Sequence, residues 1–208
     1  MSALPTSWNW EHFKGPLEAA LKKNLPFSKR RPPMENEQKL AAVLVLFGNQ
    51  NGKPSLLITR RTETVETHKG QMAFPGGRCD RKGDGQFETS IEAALRETYE
   101  EVGIAPDDVE ICGELSDLWT VTGYLVTPVV GLLKVETERL SFVTSEHEIA
   151  EAFWVPLSVL MDPGTYRYEK IRFGEVDYPI DVFQVADHRI WGATGSMIKN
   201  LLDRLQSV

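Results

Sequence analysis

The stretch ALRETYEEVG, Ala94 to Gly103, carries three glutamates, Glu97, Glu100 and Glu101, at positions i, i+3 and i+4. On an ideal helix that spacing gathers the carboxylates within about 100° of arc, so they share one face. Ile91, Leu95, Thr98 and Val102 fall on another arc, centred roughly 140° away, and predict the buried side of an amphipathic helix. Gly103 fits its C-terminal stop. Glutamates so spaced repel by about 0.2–0.5 kcal/mol per pair on an isolated helix, which solvent and salt absorb on an open surface. Where such a face is partly enclosed the repulsion grows, and a hard divalent cation with oxygen ligands is the natural remedy.

Working outward, Phe74-Pro75-Gly76-Gly77 lies in a glycine- and charge-rich passage, THKGQMAFPGGRCDRKGDGQ, that feeds the helix ETSIEAALRETYEEVG. Two adjacent glycines let backbone amides or carbonyls approach a metal or phosphate unhindered by side chains. Further upstream, LAAVLVLFG (Leu40 to Gly48) and SLLITRR (Ser55 to Arg61) flank the turn signal NQNGKP and predict a hairpin. Strands are expected at Val109 to Leu118, Tyr124 to Val135, Phe153 to Pro156 and Asp177 to Val185, with helices at Trp10 to Leu25 and Ser196 to Gln206. Strands and helices in this irregular order imply an α/β fold with a mixed central sheet. The basic, proline-bearing stretch SKRRPPMENE divides an N-terminal helix and linker, residues 1–36, from a main domain, residues 37–208.

The 208 residues suffice for one packed domain with a helical extension, and 41% hydrophobic with 25% charged residues is ordinary for a soluble protein. A net charge of −7 argues against broad nucleic-acid or anionic-membrane binding. No apolar run reaches the length of a membrane span, and the first residues lack a secretory signal, so a cytoplasmic location is expected. Cys79 and Cys112 are too few for a disulfide framework and lack zinc-ligand spacing. A phosphate-bearing substrate would therefore be received by metal ions and a few local cations, among which Arg60, Arg61, Lys69 and Arg78 lie near the acidic helix in sequence.

At this point the sequence resembles the Nudix hydrolases, whose signature G-x5-E-x7-R-E-U-x-E-E-x-G-U (U apolar) is matched in register by Glu88, Arg96, Glu97, Glu100, Glu101, Gly103 and Ile104. Ten residues rather than five separate Gly77 from Glu88, and Thr98 stands at an apolar position. The resemblance implies an α/β/α sandwich with Glu97, Glu100 and Glu101 binding catalytic Mg²⁺ (or Mn²⁺), the carbonyl of Gly76 or Gly77 as a further ligand, and Glu88 and Arg96 as a structural ion pair. An Arg guanidinium suits that pairing because it engages a carboxylate bidentately.

LLITRRTETVETHKGQMAFPGG also resembles the extra motif of the coenzyme A diphosphatase branch, L-L-T-x-R-[SA]-x3-R-x3-G-x3-F-P-G-G, through Leu57, Arg61, Gly70, Phe74, Pro75, Gly76 and Gly77. Glu66 stands where that motif has arginine. HEIAEAFWVPL (His147 to Leu157) and RIWGATGSMIKNLL (Arg189 to Leu202) look like the late strand and closing helix of the same branch. The implied activity is hydrolysis of coenzyme A or acyl-CoA to 3',5'-ADP and (acyl-)4'-phosphopantetheine. The alternatives are another nucleoside diphosphate derivative, such as ADP-ribose or a nucleotide sugar, and a non-catalytic nucleotide-binding module. Arg61 is the first candidate phosphate contact, with Arg60, Lys69 and Phe74 as further substrate contacts. Glu100 and Glu101 are catalytic candidates on the helix, and Glu148, with Glu146 as alternate, is the general-base candidate on a later loop. The partner is a small nucleotide diphosphate, and a homodimer is left open.

Overall fold

The computed structural model describes residues 8–27, 39–63, 70–145, 147–173 and 176–208. A single 3-10 turn, Trp10–His12, leads into α1 (Lys14–Leu21), then β1 (Lys39–Gln50), β2 (Lys53–Arg61), β3 (Met72–Ala73), β4 (Gly76–Arg78) and α2 (Ser90–Val102). There follow β5 (Val109–Glu114), β6 (Leu118–Trp119), β7 (Tyr124–Leu133), β8 (Ile149–Pro156), α3 (Leu157–Leu160), β9 (Tyr166–Phe173), β10 (Val176–Val185), β11 (His188–Ile190) and α4 (Gly192–Leu205). Between β1 and β2 the chain turns through Asn51 and Gly52, both at positive φ, the geometry that matches strand twist in a two-residue hairpin.

β1 organises the main sheet. It runs parallel to β7 from Lys39 to Phe47, while its other edge is shared between β2, antiparallel at Phe47 to Gln50, and β4, antiparallel at Ala41 to Val43. β8 pairs with β2, and β5 and β6 pair with β7, so the sheet is mixed. β1 is apolar on both faces because both are covered. Ala41, Val45 and Phe47 pack with α1 and α4, whereas Ala42, Leu44 and Leu46 pack with α2. The outcome is a helix, sheet, helix sandwich with a second, three-stranded sheet, β11-β10-β9.

Several boundaries differ from the sequence expectation. The strand expected over Val109 to Leu118 ends at Glu114, after a register shift between Ile111 and Gly113. The helix expected from Ser196 begins four residues earlier, at Gly192. β9, YRYEKIRF, escapes detection because its alternation is of aromatic and charged residues and its partner is β10 rather than a core face.

The N-terminal helix joins the same core: Phe13 and Leu17 are fully enclosed, and the Phe13 ring meets Phe47 edge-on at 4.8 Å. It stops at Leu21 rather than Leu25, and Arg204 of α4 accepts responsibility for the following carbonyls. Its guanidinium donates to the carbonyls of Leu21, Lys23 and Leu25, to Ser116 Oγ and to Asn200 Oδ1. Burial alone lowers its pKa, in keeping with partners that carry no charge. Among the described residues no helix is long and apolar enough to cross a membrane.

Candidate active site

α2 starts with a capping box: Thr89 Oγ1 accepts from the Glu92 amide and the Glu92 carboxylate accepts from the Thr89 amide, each a favourable end contact of about 1 kcal/mol. It ends at Gly103, φ 77°, whose N–H returns to the Tyr99 carbonyl. Two further C-terminal carbonyls are taken by the loop before β8. Val143 N–H donates to Val102 O and Ser145 N–H to Glu101 O, and this loop then presents Glu148, whose carbonyl accepts from Thr62 N–H.

The three glutamates do not share one environment. Glu101 is 3% exposed, the side chain of Glu97 19% and that of Glu100 54%, so the acidic arc descends from solvent into the sandwich. Ala93 and Ala94 permit this by letting the helix approach the sheet closely, and Ile91, expected in the core, is 37% exposed. Thr98, the departure from an apolar position, is buried with its hydroxyl satisfied by the Ala94 carbonyl at 2.7 Å.

The glycine turn meets this helix directly. Gly76 N–H donates to Glu101 Oε2 at 3.1 Å. Gly76 has φ 152°, and a Cβ there would strike the Ala42 carbonyl; a Cβ on Gly77 would strike the Glu97 carboxyl group. Arg61 Nη1 lies 3.5 Å from Glu101 Oε1, and its Nε, also buried, has no hydrogen-bond partner among the described residues. Burial pushes the Glu101 pKa up to about 8 against the pull of the Gly76 amide and Arg61, with the charges of Glu97 and Glu148 adding to the rise. Burial likewise raises Glu97, with Glu100 and Glu148 contributing.

Arg96 holds the other side. It pairs bidentately with Glu88 at 2.9 and 2.9 Å, donates from Nη1 to Glu97 and Glu100 at 3.0 Å each, and from Nη2 to the Arg78 carbonyl at 3.0 Å. The hydrogen bond from Arg96 keeps the Glu88 carboxyl below the usual carboxylate range. The lengthened loop from Gly77 to Glu88 folds on itself through an Arg81–Phe87 bridge, which returns Glu88 to this pairing.

Two substrate expectations are corrected. Alternation along β2 puts Arg60 on the face of Leu56 and Ile58, across the sheet from the carboxylates, where it pairs with Glu151 at 3.2 Å. Phe74 is 3% exposed within the α1 and α4 core and offers no free ring face. Lys69, Glu66, His68 and Glu146 lie outside the described residues. Sequence reading also missed that Arg96 binds Glu97 and Glu100 as well as Glu88.

Among the described residues no three His, Cys, Asp or Glu groups are gathered as a ready-made metal site, because Arg96 draws Glu97 and Glu100 to itself. The donor chemistry nevertheless fits Mg²⁺ or Mn²⁺: every candidate is an oxygen, and a desolvated carboxylate beside further acids is what a divalent cation relieves. A pH dependence follows for the protein kept in EDTA. Between about 4.5 and 8 the folded protein retains a proton on Glu101 that the unfolded chain releases, so stability falls as pH rises through this window and levels off above it. Thermal melts from pH 5 to 8.5 should show a loss on the order of 3 kcal/mol, roughly 10 °C. A wild-type profile as flat as that of Glu101→Gln would refute the assignment.

A fold and site of this kind place the chain among proteins that gather an acidic helix against a glycine turn. Residues 38–173 match the NUDIX domain model. Uncharacterized Nudix hydrolases NudL are similar: that of Photorhabdus laumondii is 39% identical over 154 residues, 74% of this chain and 79% of its own length. That of Enterobacter sp. is 36% identical over 178 residues, 84% and 88%. Among solved structures, the NUDIX domain of Shewanella oneidensis NrtR complexed with ADP ribose shares the fold, with TM-score 0.51 and 16% identity over 85% of this chain and 94% of that one. The chain belongs to the Nudix hydrolase family.

Proposed function

We propose that this chain hydrolyses the diphosphate bond of coenzyme A or acyl-CoA, giving 3',5'-ADP and (acyl-)4'-phosphopantetheine. The observation that carries the reading is Arg61, a residue of the upstream motif, standing beside buried Glu101 with a buried Nε that has no partner among the described residues. A buried donor without an acceptor is uncommon in a native protein, and a phosphate oxygen is an acceptor of the right charge.

In this reading Glu97, Glu100 and Glu101 would hold Mg²⁺ or Mn²⁺, with Glu100 leaving Arg96 to do so. The chemistry expected of the cation there is charge neutralisation on the diphosphate oxygens and acidification of a water. Arg61 binds a non-bridging phosphate oxygen and orients the diphosphate against the Gly76-Gly77 turn, where the absence of side chains permits close approach. Glu148, whose charge bears on both Glu97 and Glu101, accepts the proton of the attacking water. A P–O bond forms to one phosphorus as the bridging P–O bond breaks, and the leaving group departs as a phosphate monoester.

The second reading, a different nucleoside diphosphate derivative such as ADP-ribose, is favoured by Glu66 at the motif's arginine position. Purified protein incubated with Mg²⁺ or Mn²⁺ and CoA, acyl-CoA, ADP-ribose, NADH or a nucleotide sugar separates the two. Products identified by mass should be 3',5'-ADP and phosphopantetheine, with CoA compounds cleaved fastest; faster ADP-ribose cleavage would select the second reading.

A further inference from the structure

The notable cations outside the carboxylate cluster are Lys39 and Arg78. Each lies over the ring of Tyr124, the Lys39 ammonium and the Arg78 guanidinium both 5.5 Å from its centroid. Both are exposed, Tyr124 is half-buried, and among the described residues neither cation has a carboxylate within ion-pair distance. In a chain of net charge −7 with many acids, two cations converging on one ring with no acid from the described residues beside them is unusual. A ring face returns only about 0.5–1 kcal/mol per exposed cation, so an anion between the two would add to what holds them there.

Its place in the fold says which anion. Lys39 pairs with Tyr124 in the parallel β1–β7 register, and Arg78 pairs with Ala41, so all three side chains share the face that carries Ala41 and Val45. Arg78 directly follows Gly77, about 3.8 Å away between Cα atoms. Its carbonyl receives Arg96 on the acidic side while its side chain crosses to the other. Among the described residues β4 pairs with β1 alone, and along its other edge the Gly76 N–H donates to Glu101 and the Arg78 carbonyl accepts from Arg96. A ligand laid across that edge has its diphosphate at the glycines and its remaining groups beside Tyr124.

We propose that Lys39, Arg78 and Tyr124 form the site for the nucleotide end of the substrate, the ring stacking on the base and the two cations receiving a phosphomonoester separate from the diphosphate. This rests on the function proposed above, since 3',5'-ADP carries such a group on its ribose and 5'-AMP does not. Stacking on an aromatic side chain tolerates any base, so discrimination falls to the cations.

The test is equilibrium binding of 3',5'-ADP and of 5'-AMP to the full chain by calorimetry in EDTA, which needs no turnover. The wild type should prefer 3',5'-ADP by about tenfold or more, a difference of about 1.4 kcal/mol. Lys39→Met and Arg78→Met should each erase most of that preference, Tyr124→Leu should weaken both ligands alike, and Tyr124→Phe should bind as wild type. A wild type without preference, or a preference that survives both methionine variants, overturns the site. Discrimination that persists in a protein unable to cleave CoA would reject the proposed substrate and keep the site; CoA cleavage with no such discrimination would do the reverse.

Discussion

Replacing Glu101 with glutamine is expected to lower turnover by about three orders of magnitude or more. The substitution keeps the shape and an oxygen to accept from Gly76 N–H, but removes the one acid of the cluster that is nearly enclosed. Metal-assisted charge stabilisation is worth several kcal/mol, and each 1.36 kcal/mol is a factor of ten in rate. The same change should stabilise the metal-free protein at pH 8, because it abolishes a desolvated carboxylate whose pKa stands at about 8. Activity lost while the melting temperature in EDTA rises distinguishes a ligand from a structural acid. Activity kept within tenfold of wild type would remove Glu101 from the chemistry.

Arg96→Met should be the most damaging substitution for stability in the site. Four carboxylates, Asp80, Glu88, Glu97 and Glu100, and the Arg78 carbonyl surround this one guanidinium, and Glu88 and Glu97 are largely shielded from water. Removing one partner of a buried charge group typically costs about 3–5 kcal/mol, since the remaining charges stay behind unpaired. For a chain of this size that lowers the melting temperature by roughly 6–15 °C. Arg96→Lys should recover little, because one ammonium cannot reproduce the planar fork that grips Glu88 while reaching Glu97 and Glu100. A melt within 2 °C of wild type for the methionine variant, a shift of under about 1 kcal/mol, would show the network to be dispensable.

Much of the scaffold could be read residue by residue. The hairpin of β1 and β2 follows from two apolar runs around Asn51-Gly52, and the C-terminal limit of α2 from Gly103, because these signals act within a few residues of chain. The Arg96–Glu88 pair was implied by the family resemblance rather than by local spacing, and a self-closing loop brings the two together. Motif resemblance ranks Arg61 ahead of Arg60, but the physical difference between them is the face of β2 on which each projects, and only the packing of Leu57 in the α2 core says which face is which. Phe74 had the composition of a stacking platform, but its burial depends on α1 and α4, far away in sequence. Tyr124 gave no signal, because its neighbours Lys39 and Arg78 come from other strands.

The amino-acid order by itself determined the acidic helix, the glycine turn before it and the α/β character of the chain, all properties of short-range spacing and backbone sterics. Only the tertiary structure decided that Glu101 is buried while Glu100 is exposed, that Arg61 rather than Arg60 stands beside it, and that Arg96 joins four carboxylates. Desolvation and charge pairing depend on what the rest of the chain packs against a group, and no local pattern encodes that.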